Sequence, residues 1–190
     1  MIDKALVVIL SQVNAFLDRL PELSHLDHKI KMGHVVNADG TAILDKPLGL
    51  CLVNIEEERV VKAQVATRVL PDGNVVSINP EIKLNLFVLV TANFDDYSTG
   101  LVYLSGVIRF FQSMSVFSHQ NVPDMDDSIE RLTVDLHTLS FEQQNHLWGS
   151  IGAKYLPSVL YKVRMLTVQE AQTASMTAAI NELNISGRAV

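Results

Sequence analysis

Apolar residues recur at helical spacing over residues 2–20. They lie three or four residues apart along one stripe, which two further leucines widen: Ile2, Leu6, Ile9, Leu10, Val13, Phe16, Leu17 and Leu20. A stripe this wide is typical of a helix packed on a sheet, whereas a coiled coil has a narrower seam. The pattern predicts a helix over residues 2–20, which Pro21 ends because proline cannot continue the helical hydrogen bonds.

Strand-like patterns begin at about residue 28 and return along the rest of the chain. LGLCLVNI at 48–55 is apolar on both sides up to Val53, which predicts an interior strand with Leu52 and Asn54 on one side. KLNLFVLVTAN at 83–93 is the clearest strand. Further strands are predicted at 130–139, where ERLTVDLHTL alternates as a strand with one side in water, and at 157–168. The turn residues PDGN at 71–74 lie between two short β-rich runs.

Two further helices are predicted between these strands. The second helix covers about 97–112, on an apolar stripe made by Tyr97, Leu101, Leu104, Ile108 and Phe111. The third covers roughly 141–150, because Ser140 and Gln143 have the spacing of a capping box. Residues 113–129 are predicted to be irregular, and a weak helix is possible over 170–183.

The sum of these elements is an α+β fold, a mostly antiparallel sheet packed with helices. We expect a single domain over residues 1–168, followed by a loosely ordered tail at 169–190.

Composition and charge exclude several classes of protein. A chain of 190 residues with 48% hydrophobic residues is not wholly disordered. Its net charge of −6 argues against a general nucleic-acid binder and against docking on anionic lipid headgroups. A single cysteine, Cys51, forms no internal disulfide, and no uncharged apolar run reaches the ~18 residues of a membrane span. We therefore expect a soluble, cytoplasmic protein.

The sequence predicts no catalytic residue, no cofactor and no metal site. His25 and His28 are close together, but they lack a third ligand and are expected to be loop residues. The acidic cluster at 124–127 lacks the glycine and the terminal glutamate of a calcium loop, so a solvated loop is expected. Glu56 and Glu58 would share one side of an extended strand and Glu57 the other, which is no arrangement for a carboxylate pair.

Three segments of the chain resemble one protein family. They are LGLCLVNIEEER at 48–59, residues 84–117, and residues 146–166, within which LWGSIGAKYLPSVLYKVR is the most distinctive run. With the opening MIDKALVVILSQVNAFL, the likeness extends over about residues 1–168. On these residues the chain is similar to the Pvc16 N-terminal domain family, whose members are cap, or tail-terminator, proteins of extracellular contractile injection systems.

The resemblance implies an α+β fold akin to phage tail terminators and a homo-hexameric ring at the end of an inner tube and its sheath. The ring would stop tube growth and couple sheath to tube. The chain would be cytoplasmic during assembly, and then part of a particle that is released or membrane-anchored. The alternatives are a transient assembly chaperone or adaptor, and a small-molecule-binding or enzymatic α+β domain.

Nine residues are candidates for contacts with a neighbouring subunit, tube or sheath. Charge pairs are expected from Glu56, Glu57, Glu58, Arg59 and Lys154, and anchoring contacts from Trp148, Tyr155, Tyr161 and Arg164. The alternative for Trp148 is a position in the core beside the third helix, since tryptophan is buried on average. The alternative for the charged residues is an ordinary solvated surface.

Overall fold

The computed structural model describes residues 1–23, 29–37, 40–41, 48–58, 66–69, 75–78, 83–167 and 173–177. The described residues form three helices: α1 (Ile2–Leu17), α2 (Tyr97–Ser113) and α3 (Phe141–Ile151). They also form nine strands: β1 (Lys31–Met32), β2 (Leu48–Glu57), β3 (Ala66–Val69), β4 (Val75–Ile78), β5 (Lys83–Ala92), β6 (Val116–Ser118), β7 (Ile129–Leu136), β8 (Ser158–Thr167) and β9 (Thr173–Thr177).

Six of these strands form one sheet, in the order β1-β2-β5-β8-β7-β6. Only β1 and β2 run parallel, and the other neighbouring strands are antiparallel. The three remaining strands form a separate antiparallel sheet in the order β3-β4-β9. The predicted α+β class is therefore confirmed, and so are the strands predicted at 48–55, 83–93, 130–139 and 157–168, to within three residues at most of their ends.

Helices α1 and α2 cover one face of the six-stranded sheet and form the main core. The core residues come from both helices and from the facing side of the strands, and include Leu6, Ile9, Val13, Leu50, Leu86, Val88, Val107, Phe110, Leu132 and Val163. Between the helices, the rings of Phe16 and Phe110 lie 5.4 Å apart. We call this side of the sheet the helix face.

Helix α1 ends at Leu17, before the predicted end at residue 20. The backbone tightens there: Arg19 N–H donates to Phe16 C=O at 3.1 Å, and Leu20 N–H donates to Leu17 C=O at 3.0 Å. Pro21 follows directly and cannot extend the helical ladder. Leu20 nevertheless stays buried, so the predicted stripe is correct although its last turn is not α-helical.

The helix predicted at 97–112 is confirmed, but its predicted stripe is buried only at Leu104 and Phe111. Its members Tyr97, Leu101 and Ile108 are exposed, whereas the buried side is formed by Gly100, Tyr103, Leu104, Gly106, Val107, Phe110 and Phe111. Gly106 helps to decide which side faces inward, because a Cβ atom at this position would lie only 2.7 Å from Leu17 Cδ2. The outer side of α2 therefore carries exposed apolar residues.

Helix α3 covers only part of the opposite face of the sheet. The predicted capping box is confirmed, since Ser140 Oγ accepts from Gln143 N–H at 3.2 Å and Gln143 Oε1 accepts from Ser140 N–H at 2.9 Å. Beneath α3 lies a second, smaller cluster built on Phe87, Leu89, Trp148 and Leu160. The helix predicted at 141–150 is thus confirmed.

Two segments differ from their predicted structure. Residues 113–129, predicted to be irregular, contain β6, which pairs with β7 and buries Phe117 completely. The weak helix considered over 170–183 is wrong for Thr173–Thr177, which form β9 against β4. Threonine and serine are poor helix formers, and pairing with an existing strand offers their backbone a better alternative.

Candidate interaction surface

Beyond α3, the second face of the six-stranded sheet carries polar and charged side chains from four strands. We call this surface the charged face; its residues are Glu56, Glu58, Lys83, Asn85, Arg131, Thr133, Asp135, Lys162 and Arg164. The strand register aligns them in rows, with Glu56 opposite Asn85, Asn85 opposite Arg164, and Arg164 opposite Thr133. A rigid sheet thus presents a fixed pattern of charges.

Cross-strand contacts join these charges to one another. Arg164 Nη2 lies 2.6 Å from Asp135 Oδ2, and Lys162 Nζ lies 3.9 Å from Glu58 Oε2. Lys162 also lies 6.0 Å from the centre of the Phe87 ring. Both ion pairs are partly exposed, so each contributes at most about 1 kcal/mol to stability. Their main effect is to orient the side chains on the surface.

Asn85 is the buried polar group of the charged face, at 3% exposure. Its Nδ2 donates to Glu58 Oε2 at 2.9 Å, and its Oδ1 has no hydrogen-bond partner among the described residues. Asn85 lines an open groove of about 370 Å³, together with Lys83, Arg131 and Arg164. The groove combines these three cationic side chains with the carboxylate of Glu58, a mixture suited to a polar partner surface.

A bulge in β2 places its acidic end on the charged face. The register shifts between Leu52 and Asn54, so Asn54 lies opposite Phe87 and Glu56 opposite Asn85. The prediction that Leu52 and Asn54 share one side is therefore wrong, because an extra residue in a bulge reverses the alternation that follows it. Ile55 then falls on the other side, opposite Leu86, and is exposed.

The structure brings some of the predicted contact residues together. Glu56, Glu58 and Arg164 lie on the charged face, and Glu57 lies opposite Leu84 of the helix face. Arg59 lies outside the described residues, as do His25 and His28.

The predicted aromatic residues divide between the two faces. Trp148 is buried beneath α3 at 5% exposure, with the exposed ring of Tyr155 edge-on to it at 5.6 Å. Lys154 is exposed next to Tyr155. Tyr161 is buried on the helix face, where burial raises the pKa of its hydroxyl. A contact made by Trp148 or Tyr161 with a neighbour would have to be indirect, and their interface role stays a prediction.

Sequence reasoning missed the cationic and amide residues of the charged face, namely Lys83, Asn85, Arg131 and Lys162. Each occupies the polar phase of an alternating strand, which is the signal that could have identified it. This signal becomes useful only when the pairing of β5 with β8 is known. Alternation tells which face of the sheet a residue lies on, but it does not tell which residues of other strands lie beside it.

Other potential chemistry in the described residues is limited. No group of three or more His, Cys, Asp or Glu side chains there could hold a metal ion. Burial raises the pKa of the Cys51 thiol, which opposes formation of the reactive thiolate. Within the same residues, no helix has both the length and the apolar character needed to cross a bilayer.

Two solved structures have a similar fold. A sheath/tube terminator of an extracellular contractile injection system, PVC, in the extended state, matches with a TM-score of 0.60 and 14% identity, over 99% of this chain and 63% of that chain. An anti-feeding prophage cap, the AFP tube-terminating cap, matches with a TM-score of 0.61 and 11% identity, over 98% of this chain and 60% of that chain. The chain thus spans somewhat over half the length of either protein. No curated protein sequence matches it.

The family comparison agrees with the sequence resemblance and with the fold. The model of the Pvc16 N-terminal domain matches residues 3–182, which is nearly the whole chain. This chain therefore belongs to the Pvc16 N-terminal domain family.

Proposed function

We propose that this chain is a cap protein that terminates the inner tube and sheath of a contractile injection system. The observation that carries the proposal is the fold, which matches a sheath/tube terminator and a tube-terminating cap over at least 98% of this chain. Family membership over residues 3–182 supports the same role. The proposal concerns the part of those larger proteins that this chain spans.

In this role the chain works as a homo-hexameric ring and catalyses no reaction. It assembles in the cytoplasm and remains in the finished particle, where it stops tube growth and couples sheath to tube. The charged groups of the sheet support a binding role over catalysis, because they pair in rows on an open face and do not converge in an enclosed pocket.

We assign contact with the tube or sheath to the charged face. Four paired strands hold its side chains in fixed positions, so a partner with the complementary pattern can dock in only one register. Lys83, Arg131 and Arg164 supply donors for such a partner, and Glu58, which lines the same groove, supplies an acceptor.

The test reverses one charge on this surface. Particles are purified from producing cells that carry either Arg164→Glu or the control Arg19→Glu, an equal charge change at an exposed position at the end of α1. We expect both variants to fold with a native circular dichroism spectrum. The Arg164→Glu chain should be largely absent from purified particles, and the Arg19→Glu chain should be retained.

Two results would count against parts of this proposal. Retention of the Arg164→Glu chain at the wild-type level would remove the charged face from the contact. Absence of the wild-type chain from mature particles that nevertheless need it for assembly would instead identify a transient chaperone or adaptor.

A further inference from the structure

The corner between β7 and α3 carries an exposed aromatic side chain. Phe141, the first residue of α3, is 92% exposed, more than any other large hydrophobic side chain among the described residues. Leu136, at the end of β7, is exposed on the same connection. The capping box of Ser140 and Gln143 fixes the backbone on both sides of Phe141. We call Phe141 and its neighbour Glu142 the knob.

The other end of α3 borders an apolar groove. This α3 groove has a volume of about 590 Å³. It is lined mainly by apolar residues, among them Val35, Cys51, Val53, Leu147 and Ile151, and also by His34, Asn37 and Ser150. Its volume is within the range that holds small organic groups in proteins, so an aromatic ring fits. Phe141 and Ile151 are the end residues of this 11-residue helix, about 15 Å apart along its axis, so Phe141 does not reach the Ile151 end of the groove in its own subunit.

The two ends of α3 also differ in charge. Glu142 is exposed beside the knob, and Lys154 is exposed three residues beyond Ile151 of the groove. Neither residue forms an ion pair with another described residue. The end of α3 that carries the knob is thus acidic, and a basic residue follows the end that borders the groove. These two ends are complementary in charge, and both are present on each copy of this chain.

We infer that α3 joins copies of this chain head to tail, with Phe141 of one copy inserted in the α3 groove of the next and Glu142 facing Lys154. Such a contact uses two different surfaces, so each copy keeps a free knob or groove until the assembly closes. Contacts of this type generate rings when the rotation between copies closes. The inference rests on the proposed ring and names the surface that builds it, separate from the charged face that meets tube or sheath.

The first test measures the mass of the purified full chain by light scattering over a range of concentrations. We expect the wild type to form a closed oligomer, and Phe141→Ala to weaken self-association roughly tenfold or more, as loss of a buried aromatic anchor does. Tyr97→Ala is the matched control, because Tyr97 is also an exposed aromatic residue at the first position of a capped helix. It should assemble like the wild type.

The second test distinguishes a head-to-tail contact from a symmetric one. Phe141→Ala keeps its groove, and Ile151→Glu keeps its knob. Each variant alone should be monomeric, while an equimolar mixture should give heterodimers and no rings, since only one productive junction remains. Pairing Glu142→Lys with Lys154→Glu in one chain should restore assembly that either charge change alone weakens.

A wild type that stays monomeric at several milligrams per millilitre, or a Phe141→Ala chain with wild-type mass, overturns this inference. Rings formed by both single variants alone do the same. Failure of the proposed function is a separate result, because it shows as absence of the chain from particles whatever its mass in solution.

Discussion

At the scale of single residues, Asp126 shows how a contact distant in sequence changes the role of a side chain. Lys4 Nζ donates to Asp126 Oδ2 at 2.5 Å, which ties α1 to the connection between β6 and β7. Ser128 N–H donates to Asp126 Oδ1 at 3.0 Å. The interpretation of residues 124–127 as a solvated loop missed this role, because the lysine lies 122 positions away in the chain.

Because of these contacts, the free energy of unfolding should depend on pH in the acidic range. The Lys4 ammonium, and then Ser128, hold the pKa of Asp126 well below its ordinary value of 3.8. A carboxyl whose pKa is lowered by folding stabilises the folded state above its unfolded pKa, and this contribution is lost as pH falls through the folded pKa. We expect Asp126→Asn to unfold more easily in urea at pH 7 and to lose less stability than the wild type between pH 5 and pH 2.

Asp127→Asn is the control for this comparison, since it removes the same charge from the adjacent exposed position. Its urea midpoint at pH 7 should stay near the wild-type value. Equal pH profiles for wild type and Asp126→Asn would show that the Lys4 contact contributes nothing to folding.

At the scale of elements, local sequence patterns predicted where the helices lie in the chain better than which side of each helix is buried. The capping box located α3 correctly, because all of its hydrogen bonds lie within four residues. The stripe of α2 had two possible inner sides, and the chosen one left Tyr97 and Ile108 exposed. Close approach of α1 at Gly106 decided the matter, and the spacing of the apolar residues in α2 does not reveal it.

The crossing of α1 and α2 can be tested with a pair of glycine substitutions. A Cβ atom at Gly106 would lie 2.7 Å from Leu17 Cδ2 and 3.1 Å from Leu20 Cδ1, whereas one at Gly149 of α3 meets no atom within 4 Å. Overpacking costs about 1–3 kcal/mol, and alanine regains up to about 1 kcal/mol of helix propensity. We expect Gly106→Ala to destabilise the protein by about 1 kcal/mol and Gly149→Ala to stabilise it by up to about 1 kcal/mol, measured by urea unfolding. A neutral Gly106→Ala would mean that the two helices pack less closely than described.

At the scale of the whole molecule, the sequence predicted the fold class but could not give the order of the strands. β5 and β8 are neighbours in the sheet although α2, β6, β7 and α3 lie between them in the chain. That pairing sets Asn85 beside Arg164 and so creates the charged face. The resemblance of three sequence segments suggested a terminator. The charged face proposed to contact tube or sheath could be recognised only when the pairing of the strands was known.

If this chain closes the end of a tube, the length of the particles depends on it. Particles from cells that lack the chain are measured by negative-stain electron microscopy beside those from cells that express it. We predict a single narrow length with the chain present, and without it tubes of variable length or sheaths detached from their tubes. Particles of unchanged length with sheath attached, made in the absence of the chain, would rule out a terminating role.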